Sequence, residues 1–375
     1  MNVPFYGLDR QWRQHRETML AIIDRVLSTG QVLQGPAVET FELDVAKATR
    51  RRYGVAVGSC TDALAFALAA SGLGDGDEVL MPCFSFVASV APLVRLGARP
   101  RFVDIDAETF MMDLDALESS IGPQTKAILA IGLFGQTPDM ARHEAIADRH
   151  GLVLIEDAAQ SLGSSDRARP GGSLGRASCF SFDPTKVVAS FSSGGMVVTD
   201  DATLAERVRR LRYHGRDAQT REYAVLGYNS QLSTEMAALL SYKLKHLPAW
   251  TTERDRVATV YQAGLGNIGE VVLPRVRPGS THTWHKFVIR AENRDGLASW
   301  LKERGIGTMI HYPKLLPDTP YLASHNSAAH DLPVGRKIAG EVLSLPIYPE
   351  ITNEEADYVV DTIKSFYDSN LGGGR

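Results

Sequence analysis

Between about residues 54 and 200 the chain repeats one pattern, short apolar runs separated by stretches with helical spacing: "YGVAVGS", "DEVLMPCFSF", "ARPRFVDI", "KAILAIGLFG", "GLVLIEDAA", "ASCFSF" and "GGMVVTD". Several of these runs are continuous rather than alternating, so they suit strands buried on both faces. Short strands joined through helices can bury both faces only in a mostly parallel sheet with helices above and below. The segment "DMARHEAIADRHG" has the spacing of such a crossover helix, with a glycine to end it.

From about 203 to 265 the pattern turns helical and charged, and "TEMAALLSYKLKHLPAWTTERDRVATVYQAGL" reads as a long connector broken at Pro248. Beyond it a smaller α+β unit is expected: a strand, the helix "RDGLASWLKERG", a strand near "VLSLPIY" and a last helix opened by "ITNEEADYVVDTI". A chain of 375 residues suits two domains. The expected division is a large domain over 1–245, with a short N-terminal arm, and a small C-terminal domain over 246–375.

Bulk properties exclude more than they assign. Net charge is −4, and the densest basic run, "ATRRRYG", is short and lies beside an apolar strand, so no nucleic-acid partner is expected. No apolar run approaches the roughly 20 residues that span a bilayer, so no membrane association is expected. Cys60, Cys83 and Cys179 are too few and too scattered for a disulfide framework or a metal site. Their odd number suits a reducing compartment, and a cytoplasmic location is expected.

Three places carry chemistry. In "VGSCTDALAFAL" a strand runs through Ser59, Cys60 and Thr61 into a helix, whose N-terminal amides and dipole favour a phosphate. The same residues also read as a plain helix cap, with Cys60 a small filler. In "GLVLIEDAAQSLG" Glu156 and Asp157 end an apolar strand, and ligands of parallel sheets lie beyond such ends. Asp157 reads equally as a cap for the next turn. In "FSFDPTKVVASFSSGG" Lys186 stands between an apolar run and a glycine pair. It is either a solvated loop cation or an amine whose burial lowers its pKa toward nucleophilic use. Together, a phosphate cradle, a carboxylate and a semi-buried lysine are what pyridoxal phosphate requires.

At this point the ordered motifs "STGQVLQGPAVETFE", "GSCTDALAFAL", "GDEVLMPCFSFVAS", "IEDAAQSLGS", "FSFDPTK", "GGMVVTDD" and "LGYNSQLSTEMAALL" resemble the DegT/DnrJ/EryC1/StrS aminotransferases, a nucleotide-sugar branch of fold type I pyridoxal phosphate enzymes. The resemblance covers about residues 4 to 365. It implies that Lys186 carries the cofactor and shuttles a proton, that Asp157 partners the pyridine nitrogen, and that Gln160 contacts the phenolic oxygen. It further implies a stacking ring from Phe86 and phosphate contacts from Ser59, Cys60, Thr61 and Ser181. Asn229 would reach the phosphate of the other subunit in a homodimer. Tyr6, the "QVLQG" stretch at Leu33 and Gln34, Asp183, His311 and Tyr312 would face the substrate.

Three positions depart from the family pattern: Gln231 where Arg is common, Ser193 in "SSGG" where "GEGG" is common, and Asp183 where an aromatic or His is usual. Lys186 is retained, which favours transamination over sugar deoxygenation. The implied reaction moves an amino group, usually from glutamate, to a nucleotide-linked keto sugar in polysaccharide or antibiotic biosynthesis. The "HYP" segment favours a 3-keto acceptor. The alternatives are a 4-keto sugar, a ketocyclitol or aminoshikimate-type acceptor, and a non-catalytic regulatory role.

Overall fold

A computed structural model describes residues 1–325 and 331–371. Seven apolar runs become seven strands of one sheet: β1 (Tyr53–Val57), β2 (Glu78–Pro82), β3 (Arg99–Val103), β4 (Thr125–Ile131), β5 (Val153–Asp157), β6 (Ala177–Ser181) and β7 (Gly195–Thr199). Their spatial order is β1-β7-β6-β5-β4-β2-β3. The sheet is parallel from β3 through β6, and β7 runs antiparallel to both of its neighbours. Residues on both faces are buried, including Val79, Leu80 and Met81 on β2 and Ile128, Leu129 and Ala130 on β4. That burial is why these runs are continuous rather than alternating.

Helix α1 (Leu8–Leu27) packs on the later helix that holds Leu239, and α2 (Pro36–Ala48), α3 (Cys60–Ala70), α4 (Met140–His150) and α5 (Ala202–Arg212) pack on this sheet. The crossover helix α4 follows the reading of its sequence: Asp139 accepts a hydrogen bond from the Arg142 amide at 3.1 Å, and Gly151 ends the helix at φ 63°. The long helical stretch divides into α6 (Thr234–Leu244) and α7 (Leu247–Leu265). Pro248 sits in the first turn of α7, where its missing N–H has no intrahelical acceptor to lose, so the proline starts a helix rather than interrupting one.

A second core lies between α7, α8 (Arg294–Glu303), α9 (Asn353–Leu371) and an antiparallel sheet of β8 (Val271–Val272), β9 (Phe287–Ala291) and β10 (Val342–Leu345). Tyr261, Phe287, Leu343 and Val360 fill it. The start of α9 is a reciprocal cap: the Glu355 amide donates to Thr352 Oγ1 at 3.2 Å, and the Thr352 amide donates to Glu355 Oε2 at 3.0 Å. Val3 packs into this second core, bridging to Ile306, which brings Phe5 and Tyr6 against β9.

One contact fixes where the large sheet meets α3. Gly195 pairs with Val57 on one side and Ser181 on the other. A Cβ on it would lie 2.3 Å from the backbone C and O of Ser59 and 2.6 Å from the Cys60 amide nitrogen. Backbone cannot step aside as a side chain can, so glycine lets β7 press against the first turn of α3. Gly194 is different, since its added Cβ would first meet Leu232 Cδ1 at 3.2 Å. We therefore expect Gly195→Ala to cost about 1–3 kcal/mol in urea unfolding and Gly194→Ala less than about 1 kcal/mol. Equal costs would contradict this account of the glycine pair.

Candidate active site

The carboxyl ends of β4, β5 and β6, the start of α3, and residues from the second unit surround a cavity of about 310 Å³. Strand alternation separates the two carboxylates that end β5. Glu156 is fully buried away from the cavity and accepts from the Gly172 and Leu174 amides and the Ser178 hydroxyl, so it braces the loop before β6. Asp157 is 3% exposed and lines the cavity. It accepts from Ser89 Oγ at 2.6 Å and from the Ala159 amide at 3.1 Å. Burial raises its pKa; the two hydrogen bonds and the Lys186 ammonium oppose the rise.

Lys186 reaches the same cavity from the turn after β6. Asp183 builds that turn: its carboxylate accepts from the Thr185 amide at 3.0 Å and Thr185 Oγ1 at 2.7 Å, and its carbonyl accepts from the Lys186 amide at 2.9 Å. Burial pulls the Lys186 amine below the ordinary lysine pKa, while Cys60, Asp157 and Asp183 pull the other way. The amine is thus more easily deprotonated than a surface lysine, as a nucleophile requires.

At the start of α3 the Ser59 hydroxyl accepts from the Asp62 amide at 3.1 Å, so Ser59 does cap the helix. The cap leaves the amides of Cys60 and Thr61, which have no intrahelical acceptor, beside the cavity. Asp62 faces Ser230, whose hydroxyl donates to it at 2.7 Å, and does not line the cavity. Burial, then the Asp157 charge, push the Cys60 thiol well up, so it stays protonated.

Ser181, Phe86, Tyr6, His311, Tyr312 and Asp183 also line the cavity, together with Ser193. Gln160 accepts from the Phe134 amide at 3.0 Å and donates to the Tyr312 hydroxyl at 3.1 Å. His311 Nδ1 lies 2.8 Å from Ser344 Oγ, and burial lowers its pKa to about 3. Asn229, Leu33 and Gln34 do not line this chain's cavity. Leu33 bridges to Ser233, while Gln34 Nε2 donates to Gln231 Oε1 at 2.7 Å, next to Asn229.

The sequence reading missed Ser89, which holds Asp157, and the pair His285 and Lys286 at the edge of β9. Ser89 closes the "GDEVLMPCFSFVAS" motif in a single helical turn, and nothing local ties it to Asp157, 68 residues on. The signal for the pair was "TWHKFVIR", two basic side chains running directly into an apolar strand.

The sequence profile of the DegT/DnrJ/EryC1/StrS aminotransferase family matches residues 13–364. The chain is 41% identical to a pleiotropic regulatory protein of Geobacillus stearothermophilus, over 98% of this chain and 99% of that one. It is 38% identical to the dTDP-3-amino-3,4,6-trideoxy-alpha-D-glucose transaminase of Streptomyces venezuelae, over 97% and 96% of the two chains. The fold superposes on the crystal structure of S. venezuelae DesV in complex with a ketimine intermediate with a TM-score of 0.94, covering 97% of this chain and 98% of that one at 38% identity. From its first helix to its last, this chain belongs to the DegT/DnrJ/EryC1/StrS aminotransferase family.

Proposed function

We propose that this aminotransferase transfers the amino group of an amino acid, glutamate in the first instance, to the 3-keto group of a hexose linked to dTDP or UDP. The observation that carries the reading is the convergence of Lys186, Asp157 and the α3 amides on one cavity. Its cofactor is pyridoxal 5'-phosphate, and the donor set suits that group. A helix start and Ser181 meet a phosphate, a buried carboxylate meets a protonated ring nitrogen, and a lysine of lowered pKa meets a carbonyl. When bound, the cofactor supplies the electron sink.

The remaining work falls to side chains. Asp157, held by Ser89 and the Ala159 amide, would partner the ring nitrogen. Gln160, fixed between the Phe134 amide and Tyr312, orients the cofactor's polar edge. Phe86 lies at the mouth with its ring 5.9 Å from that of Tyr312, so the two rings form an aromatic wall for the flat cofactor. Lys186 holds or releases the proton that moves at the substrate carbon. His311, neutral at working pH, offers a hydrogen bond to a sugar hydroxyl. The transaminase of S. venezuelae, whose product carries its amine on C3, supports the 3-keto acceptor.

The second subunit of a homodimer completes each site through Asn229. Its support is the position of Asn229 outside its own cavity, beside an exposed apolar stretch in which Tyr223, Val225, Leu226 and Tyr228 face outward. Such a stretch suits burial against a second copy.

Incubating the cofactor-loaded protein with glutamate and a dTDP- or UDP-linked 3-keto hexose is expected to give a product whose new amine NMR locates on C3. Amination on C4, or no product with any nucleotide-linked keto sugar, would overturn the reading. Asp157→Asn is expected to keep the cofactor while kcat falls roughly a hundredfold or more; an unchanged kcat would remove Asp157 from the machinery. Lys186→Ala and Asn229→Ala, each expected to be inactive alone, are expected on mixing and refolding to regain about a quarter of the wild-type rate, since half the dimers are mixed and each mixed dimer rebuilds one site. No recovery would contradict the shared site.

A further inference from the structure

Four basic side chains line the cavity: Lys186, His285, Lys286 and His311. Lys186 is committed to the cofactor. Burial holds both histidines far below their ordinary pKa, His311 at about 3, so neither presents a charge near neutral pH. Lys286 remains. It is only 5% exposed, and among the described residues Asp183 is the one carboxylate that acts on its ammonium, through space and without a hydrogen bond. Its polar contact is with the Tyr6 hydroxyl, 3.2 Å away, and the ammonium sits over the rings of Phe5 and Tyr6 at 5.0 and 4.5 Å. One of three N–H donors is thereby satisfied. Beside it, His285 Nδ1 is buried with no hydrogen-bond partner.

Burying an ammonium without a counter-charge is costly, and Lys286 turns N–H donors toward a cavity in which its own chain supplies one acceptor, the Tyr6 hydroxyl. We propose that Lys286, with the Tyr6 hydroxyl beside it, is the carboxylate-binding subsite of this cavity, taking the carboxylate of the amino donor or of an acidic sugar acceptor. The proposal rests on the aminotransferase reading and adds to it the group that holds the substrate's negative charge. Burial first, then Lys186 and Arg254, push the Lys286 pKa well down, and Asp183 alone opposes them. Asp183 is itself engaged by Thr185. Arg254 is spent on the Trp284 and Ile347 carbonyls, at 3.0 and 2.8 Å. An incoming carboxylate restores the balance and gains charge-assisted hydrogen bonds.

The test uses the cofactor-loaded protein and calorimetric titration. Wild type is expected to bind glutarate, a donor analogue without an amine, and not its neutral counterpart glutaramide. Lys286→Gln is expected to weaken glutarate roughly tenfold to a hundredfold, and Lys286→Arg to restore it to within a few fold. Glucuronate, titrated against glucose, separates the two sources. A loss confined to glutarate assigns the donor carboxylate, and a loss confined to glucuronate assigns the acceptor. The visible cofactor band should persist in Lys286→Gln, which distinguishes loss of this subsite from failure of the aminotransferase reading. Unchanged affinity for both acids in a Lys286→Gln protein of unchanged Tm would overturn the proposal. So would equal affinity of wild type for the acids and their neutral counterparts, which needs no variant.

Discussion

Everything at this site depends on keeping a carboxylate ionised inside protein. Asp157 ends a strand whose other residues are apolar, and its burial raises the cost of its charge. Three things offset that cost: the Ser89 hydroxyl, the Ala159 amide and the facing Lys186 ammonium. The same burial acts on Lys186 with the opposite sign, lowering its pKa. The two groups therefore stabilise each other's charge. A surface aspartate and a surface lysine would have no such coupling.

The sheet supplies the precision this coupling needs. Parallel strands deliver their carboxyl ends to one edge, and the two-residue alternation of β5 sends Glu156 to the loop before β6 and Asp157 to the cavity. The antiparallel β7 then presses its first residue, Gly195, onto the turn that starts α3, so the helix amides and the Lys186 turn are set by the same contact. From the other side, the second unit adds His285 and Lys286 at the edge of β9 and His311 and Tyr312 from the stretch before β10. A cavity assembled from both units holds groups far apart in the chain, and relative movement of those units would alter it.

The sheet was legible in the sequence because its signal is local: continuous apolar runs, an Asx cap and a closing glycine identify strands and helices without knowledge of their neighbours. Lys186 and Asp157 stood out in the sequence as charges beside apolar runs, but each also read as a loop cation or a turn cap until the three places were taken together; both line the cavity. Gln160 became readable only through resemblance, since its hydrogen bonds run to Phe134 and Tyr312, which no periodicity connects to it. Ser89, His285 and Lys286 were missed for the same physical reason. Their placement is set by contacts across the fold, which neither the last residue of "GDEVLMPCFSFVAS" nor the basic pair of "TWHKFVIR" discloses. Asn229, Leu33 and Gln34 lie outside their own chain's cavity, a placement that local sequence pattern cannot express.

Two lysines, the half-buried Lys186 and the buried Lys286, line this cavity, and they have different work. The most direct test is to load the protein with pyridoxal phosphate, reduce it with borohydride so that any link to an amine becomes permanent, and map the modified peptide by mass spectrometry. The account predicts the cofactor's mass on Lys186 alone. Modification of Lys286, or of neither lysine, would contradict it.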